Sequence, residues 1–170
     1  ETLGDLSINA GTIHNTNEHL ITRNVVVSTA SLTEYQGSGA ATRYLAGTPG
    51  VYIYKNESDH LRTPGGSYSS WLAYRYTRTT TETQVVASDP GKIVAGGAMT
   101  INAQALVNDN SRIQAGGALA ANVTTLDNRE LSGTRTSTDA GTVTSYWRDR
   151  RKGRDRTGSS TAAYRPAATI

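Results

Sequence analysis

The sequence predicts an all-β protein: a parallel β-solenoid of about three 20-residue coils, with two antiparallel hairpin excursions. Three observations predict it. Gly96-Gly97-Ala98-Met99-Thr100-Ile101-Asn102-Ala103 returns 20 residues later as Gly116-Gly117-Ala118-Leu119-Ala120-Ala121-Asn122-Val123, and Leu106 and Asn108 return as Leu126 and Asn128. A third copy stands near the start, where Gly4-Asp5-Leu6-Ser7-Ile8-Asn9-Ala10 aligns with 97–103, and Ile13 and Asn15 fall on Leu106 and Asn108 without a gap. The composition is the third: no Cys, no Phe, one Met and 17 Gly leave too few large apolar side chains for a thick core. They suit a thin interior of Val, Ile, Leu and Ala. A fixed period with alternating apolar positions is how stacked coils read, because alternate residues of a strand point to opposite faces.

Residues 4–15 form the first half-coil and 89–128 the later ones. Stacking puts Leu6, Met99 and Leu119 in one interior column, and Ile8, Ile101 and Ala121 in another. Asn15, Asn108 and Asn128 form an asparagine column, and Asn9, Asn102 and Asn122 a second. Stacked amides can hydrogen-bond one another along the stack.

Asn15 and Asn108 are 93 residues apart where one coil is 20, so residues 16–88 are an insertion that splits a coil. Inside it, 22–35 reads as a long strand of β-branched and polar residues, 36–39 as a turn, and 43–45 and 51–54 as short strands. Residues 56–67, with Pro64-Gly65-Gly66, read as loop, and 71–86 as a second long strand returning against 22–35. Residues 129–165 are a smaller excursion: 134–147 extended, 148–153 a charged turn, 156–164 the return. Residues 166–170 are expected to re-enter the solenoid, as 90–93 do. The two excursions are expected to pack face to face as a small sandwich, with Val25, Val27 and Leu72 on the dry side. No stretch carries a helical period.

The chain starts at Glu1 and has no apolar run near the ~18 residues of a membrane span, so a segment of a longer chain without direct membrane insertion is expected. Net charge is +3, but residues 148–156 alone hold six basic and two acidic side chains. The basic character belongs to one turn.

Seven of the nine tyrosines, and Trp71, fall in the first excursion. Aromatic side chains are favoured at recognition surfaces, which makes Tyr52, Tyr54, Tyr68, Trp71, Tyr74 and Tyr76 the candidate recognition surface; the alternative is that they pack the hairpin. Arg148, Arg150, Arg151, Lys152, Arg154 and Arg156 make a candidate anion-binding turn. A solvated tip that resists edge pairing explains the same charges and is preferred. The candidate structural positions are Leu6, Ile8, Met99, Ile101, Leu119, Asn15, Asn108 and Asn128.

The runs Ile93-Val94-Ala95-Gly96-Gly97 and Ile113-Gln114-Ala115-Gly116-Gly117, with Leu-x-Asn closing each coil, resemble the filamentous haemagglutinin repeats of two-partner-secretion exoproteins. That group includes large adhesins and contact-dependent growth inhibition effectors. The segments 83–97 and 151–156 resemble re-entry segments of the same group. The resemblance implies a right-handed parallel β-helix, export through an outer-membrane transporter and display on the bacterial surface. It carries over no binding residue.

His14, His19 and His60 lack the company of a metal site, and no cofactor is expected. A polysaccharide-active enzyme needs carboxylates converging on one bond, whereas Asp5, Asp89, Asp109 and Asp127 sit mostly at turns. The expected function is adhesion or receptor contact with a host or neighbouring cell, through a protein or glycan and without nucleic acid. A passive spacer is the alternative, and a β-helix enzyme is disfavoured.

Overall fold

In a computed structural model, residues 1–55 and 60–170 are described, and every regular element among them is a β-strand. The strands are β1 (Leu6–Thr16), β2 (Ile21–Gly37), β3 (Tyr44–Leu45), β4 (Tyr52–Tyr54), β5 (His60–Thr63), β6 (Gly66–Tyr68) and β7 (Trp71–Ala87). Then follow β8 (Lys92–Ala95), β9 (Met99–Asp109), β10 (Arg112–Ala115), β11 (Leu119–Arg129), β12 (Arg135–Asp149) and β13 (Arg156–Tyr164). The chain divides into two compact units: Glu1–Val25 with Thr83–Thr134, and Val26–Glu82 with Arg135–Ile170.

The first unit contains two wholly parallel sheets, β1-β9-β11 and β10-β8. Leu6, Met99 and Leu119 are register partners, as are Ile8, Ile101 and Ala121. Met99, Ile101, Leu106 and Ala95 are buried, and Leu6, Ile8, Ile13, Ile93 and Ile113 pack against them. The Gly-Gly corners have a steric cause. A Cβ on Gly116 would overlap the carbonyl oxygen of Gly96, and a Cβ on Gly96 would overlap that of Leu3. Backbone this close to backbone leaves room for hydrogen only.

The second unit carries an antiparallel sheet in the order β13-β12-β7-β2-β3 and a smaller antiparallel sheet, β4-β5-β6. Leu61, Trp71 and Ala73 form its buried cluster, with Tyr35, Val51, Ile53, Tyr68 and Tyr146 against them.

Three expectations are corrected here. The excursions do not pack face to face: β12 joins β7 edge to edge, from Arg135 opposite Glu82 to Tyr146 opposite Trp71. Edge pairing satisfies two rows of backbone hydrogen-bonding groups that face packing would leave to solvent. Thr-rich cross-strand pairs support it, such as Thr81–Thr136 and Thr80–Ser137, with hydroxyls 3.1 Å apart in the latter. Val27, assigned to a dry side, is 38% exposed. Residues 60–63 and 66–67, read as loop, lie in strands, because Leu61 packs against Trp71 and draws its neighbours into a sheet; 56–59 of that loop lie outside the described residues. Residues 166–170 belong to the second unit, where Thr169 exchanges backbone hydrogen bonds with Ser137 and prolongs the edge beyond β13.

Candidate functional site

The small sheet sorts its side chains by alternation. Ile53, Leu61 and Tyr68 share one face and pack toward Trp71. Tyr52, Tyr54, His60 and Arg62 take the other face, since Tyr52 pairs with Arg62 and Tyr54 with His60. β4 is an edge strand, and both of its tyrosines are 44% exposed. Their rings meet edge to face at 4.8 Å, and their hydroxyls lie 2.9 Å apart. That hydrogen bond is the main reason the Tyr52 phenol is held above its usual pKa.

The charged turn reaches this face at Arg148. Arg148 Nη1 is 2.8 Å from His60 Nε2, while its guanidinium also pairs with Asp155. Asp155 is held below the usual carboxylate range, chiefly by the hydrogen bond from Arg148 and then by the Arg151 amide. Arg151 pairs with Asp149 at 2.8 Å. Among the described residues, Arg150, Lys152, Arg154 and Arg156 are exposed and form no ion pair. Among the described residues, the six basic side chains thus divide into two structural ties and four exposed cations outside any ion pair.

Three of the six candidate aromatic residues are not a surface. Trp71, Tyr74 and Tyr76 are buried, at 2%, 7% and 5% exposure. Trp71 stacks on Tyr146 at 4.1 Å and meets Tyr35 edge-on at 5.8 Å. Tyr74 donates to Gln36 Oε1 at 2.9 Å, and the Arg43 guanidinium lies 3.8 Å above its ring. Tyr76 meets Tyr164 at 5.2 Å, and burial raises its phenol pKa. Both faces of β7 are covered, so aromatic residues on either face become interior. Tyr68 is half-buried on the inner face, its ring lying over Gly37.

The structural positions also divide. Met99 and Ile101 are buried and Leu6 and Ile8 half-buried, but Leu119 is 51% exposed. Assigning Leu119 to the interior is therefore corrected. Its strand is the last of its sheet, so the column above it is open. Asn15 donates to Asn108 and Asn108 to Asn128, each at 2.7 Å.

Two latches escaped the sequence reading. Asn17, buried, donates to Ser88 Oγ at 2.9 Å and accepts from the Asp89 amide at 3.1 Å. It fixes where the chain departs after β1 and where it returns before β8. Asn110, in the left-handed region at φ 49°, accepts from the Leu131 amide. Both stand two residues after a ladder asparagine, a spacing that marks them in the sequence.

These features define an all-β repeat protein whose repeats pair in parallel sheets, with an exposed aromatic pair. The model of the haemagglutinin repeat matches residues 2–48 and 67–145, well over half of the chain, and the protein belongs to that family. No curated protein and no solved structure matches it. The family is secreted and surface-associated. Among the described residues no helix is long and apolar enough to cross a membrane.

Proposed function

We propose that the chain is a segment of a secreted, cell-surface β-helical exoprotein of the two-partner-secretion type, and that its antiparallel unit makes contact with a receptor on a target cell. The parallel sheets serve as coils of a right-handed β-helix, exported by an outer-membrane transporter and acting as scaffold, not as an enzyme. The supporting observation is the pair Tyr52 and Tyr54, held outward on an edge strand with Arg62 beside them. Tyrosine and arginine are among the residue types enriched at interface hot spots. Three of the four coil carboxylates are engaged in structure: Asp5 accepts from the Ala98 amide, and Asp109 and Asp127 pair with Arg129. This favours scaffold over catalysis.

The test is attachment of the purified chain to target cells before and after the double substitution Tyr52→Ala/Tyr54→Ala. Truncating one interface hot spot costs about 2 kcal/mol, roughly thirtyfold in affinity. Attachment should fall by at least that factor while circular dichroism is unchanged. Undiminished attachment would remove the tyrosines from the site. A passive spacer is favoured by one observation, the burial of Trp71, Tyr74 and Tyr76 as packing. It predicts no attachment by either form.

A further inference from the structure

β2, in the five-stranded sheet, leaves most of its outer edge uncovered. β3 pairs with it only at Glu34 and Tyr35. N-terminal to these, the Thr33 carbonyl accepts from the Ala46 amide. Among the described residues, none pairs with the outer edge from Val26 to Ser31. Two bonds fix which backbone groups point where. The Thr33 carbonyl faces outward, to Ala46, and the Ser38 amide faces inward, to the Ser70 carbonyl beside β7. The N–H and C=O of one strand residue point to the same side, and the sides alternate. Val27, Thr29 and Ser31 therefore offer N–H and C=O outward, while Val26, Ser28 and Ala30 spend theirs on β7.

Edges of this kind are normally blunted by charge, proline, a bulge or brevity. From Val26 to Thr33 there is no charged residue, proline or glycine, and β2 is 17 residues long. Val26 is 57% and Val27 38% exposed. An uncharged strand can meet a copy of itself without setting like charges opposite one another.

We propose that this edge is a dimerisation surface, and that its occupant is the same strand of a second copy of this chain, antiparallel across a two-fold axis. Symmetry narrows the register. A two-fold perpendicular to an antiparallel sheet must pass through a residue paired with its own counterpart, because neighbouring pairs alternate between hydrogen-bonded and non-bonded. Centring on Thr29 places Thr29 opposite Thr29 of the partner subunit as a hydrogen-bonded pair, and Val27 opposite the partner's Ser31. Val26 then meets the partner's Leu32 and covers two apolar side chains at once. All outward groups from Val27 to Ser31 become satisfied.

The experiment uses three proteins and sedimentation equilibrium. The wild-type chain should show twice the 18.1 kDa monomer mass and dissociate on dilution. In Thr29→Pro the lost N–H points away from β7, so the fold remains, by circular dichroism, but the mass should fall to the monomer's; proline is tolerated on edges for this reason. Thr29→Cys supplies the one thiol in a chain with no cysteine. Hydrogen-bonded antiparallel pairs hold Cα atoms about 5.5 Å apart, within disulfide range, so mild oxidation should give a cross-linked dimer. A wild-type monomer at all concentrations would overturn the proposal. So would a dimer that survives Thr29→Pro, which would place the contact elsewhere, for example at the open column of Leu119 and Leu126. Should Thr29→Pro lose its fold, the decision passes to Thr29→Cys: absence of the cross-link overturns the proposal.

Discussion

Leu106 and Leu126 are the same residue at the same place in successive repeats, and the structure gives them different environments. They are register partners in β9 and β11, yet Leu106 is 3% exposed and Leu126 59%. Leu106 lies between two strands, Ile13 on one side and Leu126 on the other. Leu126 has a neighbouring strand on one side only. Truncating a buried leucine to alanine costs about 2–5 kcal/mol, because a cavity adds to the lost transfer energy. Full burial of a leucine is worth roughly 1.5–3 kcal/mol by transfer alone. With more than half of Leu126 still in water, Leu126→Ala should cost only about 1 kcal/mol and leave no cavity. For a chain of this size each kcal/mol moves the melting midpoint by about 2–4 °C. Leu106→Ala should therefore lower it by roughly 4–20 °C, and Leu126→Ala by about 2–4 °C. Thermal melts followed by circular dichroism read both. Equal shifts, or a larger one for Leu126→Ala, would refute the reasoning that β11 has a strand neighbour on one side only.

Other outcomes follow from single contacts. Asn108 accepts from Asn15 and donates to Asn128 and to the Ser111 carbonyl, so Asn108→Ala should cost about 1–3 kcal/mol by leaving one N–H of the buried Asn15 amide without its partner, the other staying on the Arg112 carbonyl, with Asn128→Ala clearly milder in urea titrations. Gly116→Ala should destabilise by about 1–3 kcal/mol, because its Cβ would overlap the Gly96 carbonyl; Gly11→Ala, with open space around it, is the control and should be near neutral. Asp139 accepts two hydrogen bonds from Arg78, at 2.8 and 2.9 Å, which hold its carboxyl below the usual carboxylate range. A carboxylate depressed on folding contributes stability above its unfolded pKa, about 3.9, and loses it as pH falls through the folded value. Asp139→Asn should therefore lower stability near neutrality, and its difference from the wild type should shrink on acidification; a difference constant with pH would contradict the pair's role.

The parallel register was legible because a 20-residue period carries its own alignment: Leu6, Met99 and Leu119 share a column, and structure and repeat assign the same partners. Exposure was not legible from the same pattern. A repeat does not mark its last member, so Leu119 reads like Met99. The burial of Trp71, Tyr74 and Tyr76 was hidden for another reason. It depends on β12, β13 and the small sheet covering β7, and these contacts are distant in sequence. One signal did point to the β7–β12 pairing. Arg78 with Asp139 and Glu82 with Arg135 are opposite charges at one antiparallel register, and Thr/Ser runs lie between them. Tyr52 and Tyr54 were readable as exposed from Tyr-Ile-Tyr, where the central isoleucine claims the inner face.

The central structural claim is that three segments, one of them separated by 93 residues from its repeat, stack in parallel register. Inter-strand nuclear Overhauser effects in the isotope-labelled chain test it directly. Parallel pairing in this register gives cross-peaks from Ile101 to both Ile8 and Ala121, and from Leu106 to both Ile13 and Leu126, advancing in the same direction along all three strands. Cross-peaks that run in opposite directions along β1 and β9, or that pair Ile101 with a neighbour of Ile8, would contradict it.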